Sequence, residues 1–481
     1  MYITRLHVRN VKLLRGLSLD LTHEARPRMW TVFFAENGAC KTTLLQAIAL
    51  AASGAERANQ LVDVPSLPDL RQPAAEARIS ADFEFGNRQE KWRRFPEPNL
   101  FAKSKHTLRL RSSLDIRVGQ EAFSGDSWFA PTEVLASVVD EAPQLNAEAL
   151  LAAFRGKTQT GSMERNLKLG LSGVDSTFFW QMLSYAFTRK DQISEARAKS
   201  FPGWFIVGYG TQRHLGVPGE TFELRDRFLN RLGPLFGKTL PTGTGFASTF
   251  TDTHYLEPFL QALRQVLVEH HLLPDVEAVE LSSTGGAAPP GELSRAHGFA
   301  FTFTGQQKPV PGPWLSQGYQ ATISWLADFI GQMYLDVGKP IPFEDMEGLV
   351  LIDELDLHLH PAWQMRLVPV LKRVFPRMQF IVTTHSPMIL PALEPHEIIR
   401  LRRQDSGDVV AESLSSTSML DFVTSPRSFP LELGEQLRRY ASLSSDPTRS
   451  AAEDQEMLGL RARLTEVGLE LGLPPVPRKG Q

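Results

Sequence analysis

Cysteine is almost absent from this sequence, and so are long apolar runs and a strong charge of either sign. Its 481 residues include one cysteine, Cys40, which excludes an intramolecular disulfide and a four-cysteine zinc site. No stretch reaches the roughly 18–20 consecutive apolar residues that a membrane-spanning helix needs. The formal net charge is −3, so any contact with nucleic acid must come from a local basic patch.

The opening segment, MYITRLHVRNVKLL, alternates apolar and polar side chains and carries scattered charges. A signal peptide has an uninterrupted apolar core instead. Together with the single cysteine, this pattern favours a reducing, cytoplasmic location without a membrane partner. Sustained heptads and fixed-period repeats are also absent, which argues against a long coiled-coil arm or a repeat array.

Apolar periodicity predicts ordered elements at both ends of the chain. Near the start, two amphipathic strands precede a buried strand at 31–34, and a helix follows over 42–52. From residue 314 onward, a helix is predicted from the end of LSQG to about Met333. The strand GLVLID, the helix PAWQMRLVPVLKRVF and the strand QFIVTT follow it. Such alternation of strands and helices is typical of a parallel sheet.

The region between residues 56 and 300 is weakly patterned and contains breaks rich in proline and glycine, such as SSTGGAAPPGE. Within it, over 91–300, we expect a long, mainly helical insertion. The clearest apolar runs of the whole region predict strands over 79–85, 108–114 and 205–207 and helices over 132–154 and 259–270.

A loop of small residues, AENGACKTT at 35–43, lies between the strand at 31–34 and the helix after it. This order of strand, small-residue turn, lysine and hydroxyl is what a phosphate-binding loop requires. The lysine would neutralise phosphate charge and the hydroxyl would hold Mg²⁺. An ordinary helix start remains the alternative, because Ala35 and Cys40 replace the two usual glycines. The predicted nucleotide contacts are Asn37, Gly38, Ala39, Cys40, Lys41, Thr42 and Thr43.

Three further motifs follow along the chain. LSQG opens a helix, so Ser316 and Gly318 would offer an anion site at its N-terminus, although a plain serine N-cap fits as well. Asp353 and Glu354 end an apolar strand, where one carboxylate could hold Mg²⁺ and the other polarise a water. The alternative is an acidic pair that only ends the strand. His385 follows the next strand and could contact a γ-phosphate, although a lone histidine is more often structural.

With these four motifs in this order, the sequence resembles the SMC/RecF-like ABC ATPases, particularly the compact bacterial AAA-family ATPases of anti-phage systems. GLVLIDELDLHLHP at 348–361 is similar to the overcoming-lysogenization-defect group, and THSP and the opening segment agree with it. The segment YGTQR resembles the tyrosine–glycine–arginine segment of the same ATPases. The resemblance implies an α/β fold, that of a P-loop NTPase of the ABC type with a mostly parallel sheet flanked by helices.

The resemblance also implies roles and partners. ATP and Mg²⁺ would be the cofactors, with Glu354 and His385 as catalytic residues. Thr42 and Asp353 would be metal ligands, and Gln212 a candidate third. Two heads would sandwich the nucleotides, with LSQG as the signature motif of each head completing the partner's site, so a homodimer or a higher assembly of dimers is expected.

We expect four parts in the chain. Residues 1–90 would form the N-terminal part of the ATPase head with the phosphate-binding loop. Residues 91–300 would be the inserted, helical region with part of the first lobe. Residues 301–415 would form the second lobe with the signature, acidic and histidine motifs, and 416–481 a C-terminal helical tail.

The two missing glycines predict strain or a modified loop path, because a left-handed non-glycine residue costs about 1–2 kcal/mol. Weaker nucleotide binding or slow turnover would result. His358 and His360 could suggest a metal site, but packing is favoured. The basic clusters KWRR at 91–94 and KSKHTLRLR at 103–111 could contact a phosphate backbone, or the second could be one solvated face of a strand.

No nuclease arrangement follows the ATPase motifs, so we expect an ATPase subunit of a bacterial defence system, as in Septu and PARIS, that controls a separate nuclease or toxin effector. The apolar run at Met457, Leu458, Leu464 and Leu469 could dock that effector or pack in the core. A RecF-like repair ATPase, an ATP-bound scaffold with little hydrolysis and a transporter subunit remain alternatives. DNA binding that weakens with salt would favour the first of these.

Overall fold

A computed structural model describes most of the two ends of the chain and selected segments between them. The described residues are 1–69, 71, 77–85, 107–118, 127–139, 204–215, 221–222, 227–249, 253–273, 275–281, 293–294, 299–306, 308–386, 388–413, 436, 439–440, 442–444 and 446–466.

Strands and helices are numbered here in chain order. The strands are β1 Tyr2–Val11, β2 Leu14–Asp20, β3 Thr22–His23, β4 Arg26–Pro27, β5 Trp30–Phe34, β6 Arg78–Phe85, β7 Thr107–Val118, β8 Ser127–Val139, β9 Ile206–Tyr209, β10 Thr221–Phe222, β11 Val276–Leu281, β12 Leu293–Ser294, β13 Phe299–Phe303, β14 Val310–Pro311, β15 Gly348–Ile352, β16 Met378–Thr384, β17 Ile398–Arg403 and β18 Val409–Ser413. The α-helices are α1 Lys41–Ser53, α2 Ala55–Leu61, α3 Arg227–Leu232, α4 Phe246–Thr249, α5 Thr253–Arg264, α6 Gln317–Val337, α7 Pro361–Val374 and α8 Ala451–Glu466.

A six-stranded sheet in the order β18-β17-β5-β16-β15-β9 carries the predicted motifs. All neighbours are parallel except β18, which runs antiparallel to β17 at the edge. All five residues of β15 and all seven of β16 are buried, as expected for strands with both faces covered. The carboxyl ends of β5, β15 and β16 therefore meet at one edge, each followed by a motif.

One face of this sheet packs on α1 and on a second, antiparallel sheet in the order β2-β1-β6-β7-β8. Alternation in β6 turns Ile79, Ala81 and Phe83 inward and leaves polar neighbours at the surface. The middle of α1 is buried on all sides, and Ser112 on β7 donates a hydrogen bond to the carbonyl of Ala51 at 2.7 Å. The helix after the loop is thus held between two sheets.

The opposite face of the central sheet packs on α6, whose Trp325 and Phe329 are fully buried. The ring of Phe329 meets that of Phe375 edge-on at 5.1 Å between centroids. Gly331 faces Phe246, and a Cβ at this position would overlap the phenyl ring. Close approach of the helix to its neighbours therefore depends on a glycine here.

Most elements predicted from periodicity are confirmed, including the strands β1, β2, β5, β6, β7, β9, β15 and β16 and the helices α1, α5, α6 and α7. The fold is the predicted α/β fold of a P-loop NTPase, with a mostly parallel sheet flanked by helices. The division into four parts stays a prediction. No helix in the described part of the chain has both the length and the apolar character needed to cross a bilayer.

The helix predicted over 132–154 is wrong for its described residues, because 132–139 belong to β8. This segment pairs along its length with β7 and extends the antiparallel sheet, so sheet context outweighs helical spacing. The described residues of the region at 91–300 contain β7, β8, β9 and β11 beside α3 and α5. They are therefore mixed rather than mainly helical; 140–203 lie outside the described residues.

The C-terminal apolar run packs mostly inside the protein. Met457 and Leu464 on α8 are buried against Met365 of α7, as the core-packing alternative predicted. Leu458 is 52% exposed, and Leu469 lies outside the described residues.

Replacing Gly331 by alanine should destabilise the protein by about 1–3 kcal/mol, because the added methyl group overpacks the contact with Phe246. Urea unfolding would measure this change. Gly16→Ala is the matched control, since a Cβ at Gly16 meets nothing within 4 Å. Equal midpoints for Gly331→Ala and the unmodified protein would contradict the packing described for α6.

Candidate active site

The loop between β5 and α1 has two left-handed residues. Gly38 has φ 79° and Cys40, the residue before α1, has φ 57°. The predicted strain is thus located at Cys40, whereas Ala35 does not have a positive φ. Asn37 and Gly38 are exposed at the tip of the loop.

Lys41 is buried and its ammonium group is held by the loop itself. Its Nζ donates to the carbonyl oxygens of Ala35 at 2.9 Å and Glu36 at 3.0 Å, and lies 3.3 Å from His385 Nδ1. Burial lowers the pKa of Lys41, and the nearby carboxylate of Asp353 opposes this shift. A cation held over the loop at this depth suits the binding of a multiply charged anion.

Asp353 at the end of β15 joins the loop to the neighbouring strand. Its Oδ2 accepts a hydrogen bond from Thr42 Oγ1 at 2.6 Å, and its Oδ1 accepts one from Thr383 Oγ1 at 2.6 Å. The amide of Asp353 donates to the carbonyl of Tyr209 on β9 at 2.8 Å. The carboxylate is therefore fixed by side chains from α1 and β16, and the backbone of the same residue is fixed by β9.

Glu354 is partly exposed and lies beside His385, with 3.7 Å between its Oε1 and the Nε2 of the histidine. Its backbone is left-handed, with φ 48°. Its amide donates to Thr383 Oγ1 at 2.7 Å, and its carbonyl accepts from Arg213 Nη2 at 2.6 Å. Both peptide groups of this residue are thus held by side chains from other elements.

Thr383, Thr384 and Arg213 are site residues that sequence reasoning missed. Thr384 Oγ1 donates to Asp356 at 2.5 Å and accepts from the amide of Ser386 at 2.9 Å, which orders the segment around His385. Two threonines directly before a histidine at a strand end were a usable signal. Arg213 lies inside the segment YGTQR, in which the resemblance implies a role for Gln212 only.

Gln212 follows β9 at the same sheet edge and is exposed. Within the described residues, no hydrogen bond joins it to Thr42 or Asp353, so its role as a metal ligand stays a prediction. Lys41, Thr42, Asp353, Glu354 and His385, in contrast, are brought together by direct contacts.

The LSQG segment forms the start of α6 but takes no part in this cluster. Ser316 is the exposed N-cap residue and makes no side-chain capping hydrogen bond. Gly318 faces the carbonyl of His358, and a Cβ there would come within 2.5 Å of that oxygen. No described hydrogen bond joins Ser316 or Gly318 to the loop at 35–43, so a single chain brings together only three of the four motifs.

The side chain of Trp314 lies at the surface just before this segment and is 79% exposed. Gln320 holds the turn on either side of Trp314 by donating to the carbonyls of Pro313 at 3.1 Å and Leu315 at 2.7 Å. A large apolar side chain held in an exposed position beside Ser316 is unusual for a surface that contacts only water.

The other predicted sites have local structural roles where they are described. The backbone carbonyl of His360 accepts hydrogen bonds from the amides of Trp363 and Gln364 at the start of α7. The described residues contain no group of three or more His, Cys, Asp or Glu side chains that could hold a metal ion. Arg111 is paired with Asp82 at 2.6 Å, which fits the solvated-face alternative. The cluster at 91–94 lies outside the described residues.

Parts of this chain are similar to known proteins. Residues 245–390 match a family described as "AAA domain, putative AbiEii toxin, Type IV TA system". The Septu protein PtuA of Bacillus mycoides (strain KBAB4) is 33% identical over 160 residues, covering 32% of this chain and 22% of that protein. The Retron Ec83 probable ATPase of Escherichia coli is 41% identical over 88 residues, covering 18% and 16%.

Among solved structures, an SMC head bound to the C-winged helix domain of ScpA aligns at 15% identity with a TM-score of 0.44, covering 87% of this chain and 99% of that one. The chain spans less than a quarter of the length of the two relatives above. Over the matched segments, this chain is similar to an AAA-domain family, to Septu PtuA and to a retron protein named as a probable ATPase.

Cys40→Val should lower the free energy of unfolding by about 1–2 kcal/mol, because a β-branched residue fits a left-handed backbone poorly. Cys40→Gly should be as stable as the unmodified protein or slightly more so, since relief of strain is partly offset by a more flexible unfolded chain. Urea unfolding of the two variants checks this. Equal stability of the valine variant would contradict the conformation described for Cys40.

Proposed function

We propose that this chain is an ATP-binding and ATP-hydrolysing subunit of a bacterial anti-phage defence system. In this proposal two copies dimerise head to head around ATP and regulate a separate nuclease or toxin effector. The observation that carries the ATPase part is the convergence of Lys41, Thr42, Asp353, Glu354 and His385 at one edge of the sheet. The Septu and retron relatives support the placement in defence.

The oxygen donors at this edge fit a magnesium ion. The hydroxyl of Thr42 and the carboxylate of Asp353 lie 2.6 Å apart, and Mg²⁺ prefers such hard oxygen ligands together with substrate phosphates. Thr42 and Asp353 would hold the ion, with Gln212 as a further ligand. When bound, Mg²⁺ would neutralise charge on the phosphates.

Residues of the protein would then bind the phosphates, accept the proton of the water and stabilise the terminal phosphate. Lys41 and the amides of the loop bind phosphate oxygens. Glu354 accepts the proton of the attacking water, and His385 donates a hydrogen bond to the terminal phosphate. The 3.7 Å separation between Glu354 and His385 places the proposed base and the proposed donor side by side.

The dimer is proposed because Ser316 and Gly318 lie apart from the phosphate-binding loop of their own chain. An exposed, uncapped N-terminus of α6 offers amide hydrogens to an anion. In a head-to-head pair, Ser316 of one copy would face the phosphates bound by the other. The exposed Trp314 beside it supports an interface there, since tryptophan is enriched at such surfaces.

Lys41→Ala should weaken binding of a non-hydrolysable ATP analogue by about 10-fold or more, because it removes the cation that faces the loop. Calorimetric titration measures this, and normal affinity would contradict the assigned site.

Glu354→Gln should keep nucleotide affinity and lower kcat about 100-fold or more, as expected for loss of a general base. If its turnover equalled that of the unmodified protein, the scaffold alternative would be favoured.

Trp314→Ser should weaken ATP-dependent dimerisation by about 10-fold or more, because a buried tryptophan often dominates an interface. The experiment uses sedimentation equilibrium with ATP in a Glu354→Gln background, so that nucleotide persists. Leu458→Ser is the matched control, since Leu458 is also apolar and exposed but lies on α8. Equal weakening in both variants, or in neither, would contradict an interface at the LSQG segment.

A further inference from the structure

Arg213 is a buried cation at the centre of the proposed site and is not needed for any step assigned above. It is 5% exposed and follows β9, the neighbour of β15 in the central sheet. Its Nη2 donates to the carbonyl oxygen of Glu354 at 2.6 Å. Nε and Nη1 have no hydrogen-bond partner among the described residues. Burying an arginine is costly, so the position demands an explanation.

The surroundings of Arg213 show why the charge is tolerated. Burial lowers the pKa of Arg213 to about 10, and the carboxylates of Asp353, Asp356 and Glu354 oppose this shift. The direct contact is nevertheless to a backbone carbonyl, not to a carboxylate. A direct ion pair with Asp353 or Glu354 would occupy a carboxylate that the proposed reaction uses. The contact with the backbone carbonyl of Glu354 leaves both carboxylates unpaired with Arg213.

The contacted residue, Glu354, has a strained backbone. Its φ of 48° is left-handed, a conformation that costs a non-glycine residue about 1–2 kcal/mol. Such strain persists only where the surroundings hold it in place. Thr383 accepts the hydrogen bond from the amide on one side of Glu354, and Arg213 donates to the carbonyl on the other.

We propose that Arg213 is a positioning residue: it holds the carbonyl of Glu354, keeps this residue left-handed, and so directs its carboxylate, 3.7 Å from His385, toward the position where the attacking water would bind. The inference rests on the proposed function, because the orientation of the Glu354 carboxylate affects turnover only if Glu354 is the general base. Arginine suits this task since its planar guanidinium donates in a fixed direction, whereas a lysine ammonium is a flexible point charge.

The first test compares Arg213→Lys with the unmodified protein. The lysine variant should lower kcat by about 10- to 100-fold, as a slight misplacement of a catalytic group does. Its affinity for a non-hydrolysable ATP analogue should stay within about threefold. Arg231→Lys is the matched control and should keep normal turnover, because Arg231 is also largely buried but pairs with Asp336 at 2.8 Å.

The second test is a double-mutant cycle with Glu354→Gln. If Arg213 acts through Glu354, the lysine change should have no further effect on the residual turnover of the Glu354→Gln variant. An equal fold-loss in both backgrounds, unchanged turnover of Arg213→Lys, or a parallel loss of nucleotide affinity would overturn the inference. Normal turnover of Glu354→Gln by itself would instead refute the proposed function.

A third comparison keeps the inference testable if the lysine variant folds poorly. Arg213→Gln and Arg213→Met both remove the charge and have similar length, but only glutamine retains a donor for the carbonyl of Glu354. We expect faster turnover in the glutamine variant at equal thermal stability. Equal turnover of the two would show that the hydrogen bond does not position Glu354.

Discussion

The candidate site depends on one constraint, the position of the Asp353 carboxylate at the end of β15. One oxygen accepts a hydrogen bond from the hydroxyl of Thr42, in the first turn of α1 after the loop that follows β5, and the other accepts one from Thr383 on β16. These strands are neighbours in the central sheet and run parallel, so their carboxyl ends coincide. An arrangement of this kind places loop, carboxylate and histidine at one edge, where open α/β sheets bind their ligands.

Two non-glycine residues at this edge adopt left-handed backbones, Cys40 before α1 and Glu354 after β15. Each is held by its surroundings. The residue after Cys40 is tied to the loop through Lys41 Nζ, and Glu354 is held on both sides by Thr383 and Arg213. Strain at such positions is a common property of functional sites, where a fixed geometry matters more than local stability. The glycine-poor loop is therefore compatible with a formed site.

At the start of α6, a buried glycine and an exposed serine lie two residues apart. Gly318 allows α6 to approach the carbonyl of His358, which brings the signature helix against the segment that follows the acidic pair. Two residues earlier, Ser316 is exposed and uncapped. The helix thus packs against the segment that follows the acidic pair of its own chain, while its N-terminal residue Ser316 is exposed, which is the geometry that the proposed dimer uses.

The sequence by itself determined the ordered elements at the two ends of the chain and five residues of the site, because strand alternation, helical spacing and loop composition depend on residues close together in the chain. It could not determine that 132–139 form a strand, since that depends on pairing with β7. Nor could it identify Thr383 and Arg213 as the partners of Glu354, since Arg213 lies more than a hundred residues away along the chain. Only the strand order of the folded sheet brings those groups into contact, because hydrogen bonds act over a few ångströms irrespective of sequence separation.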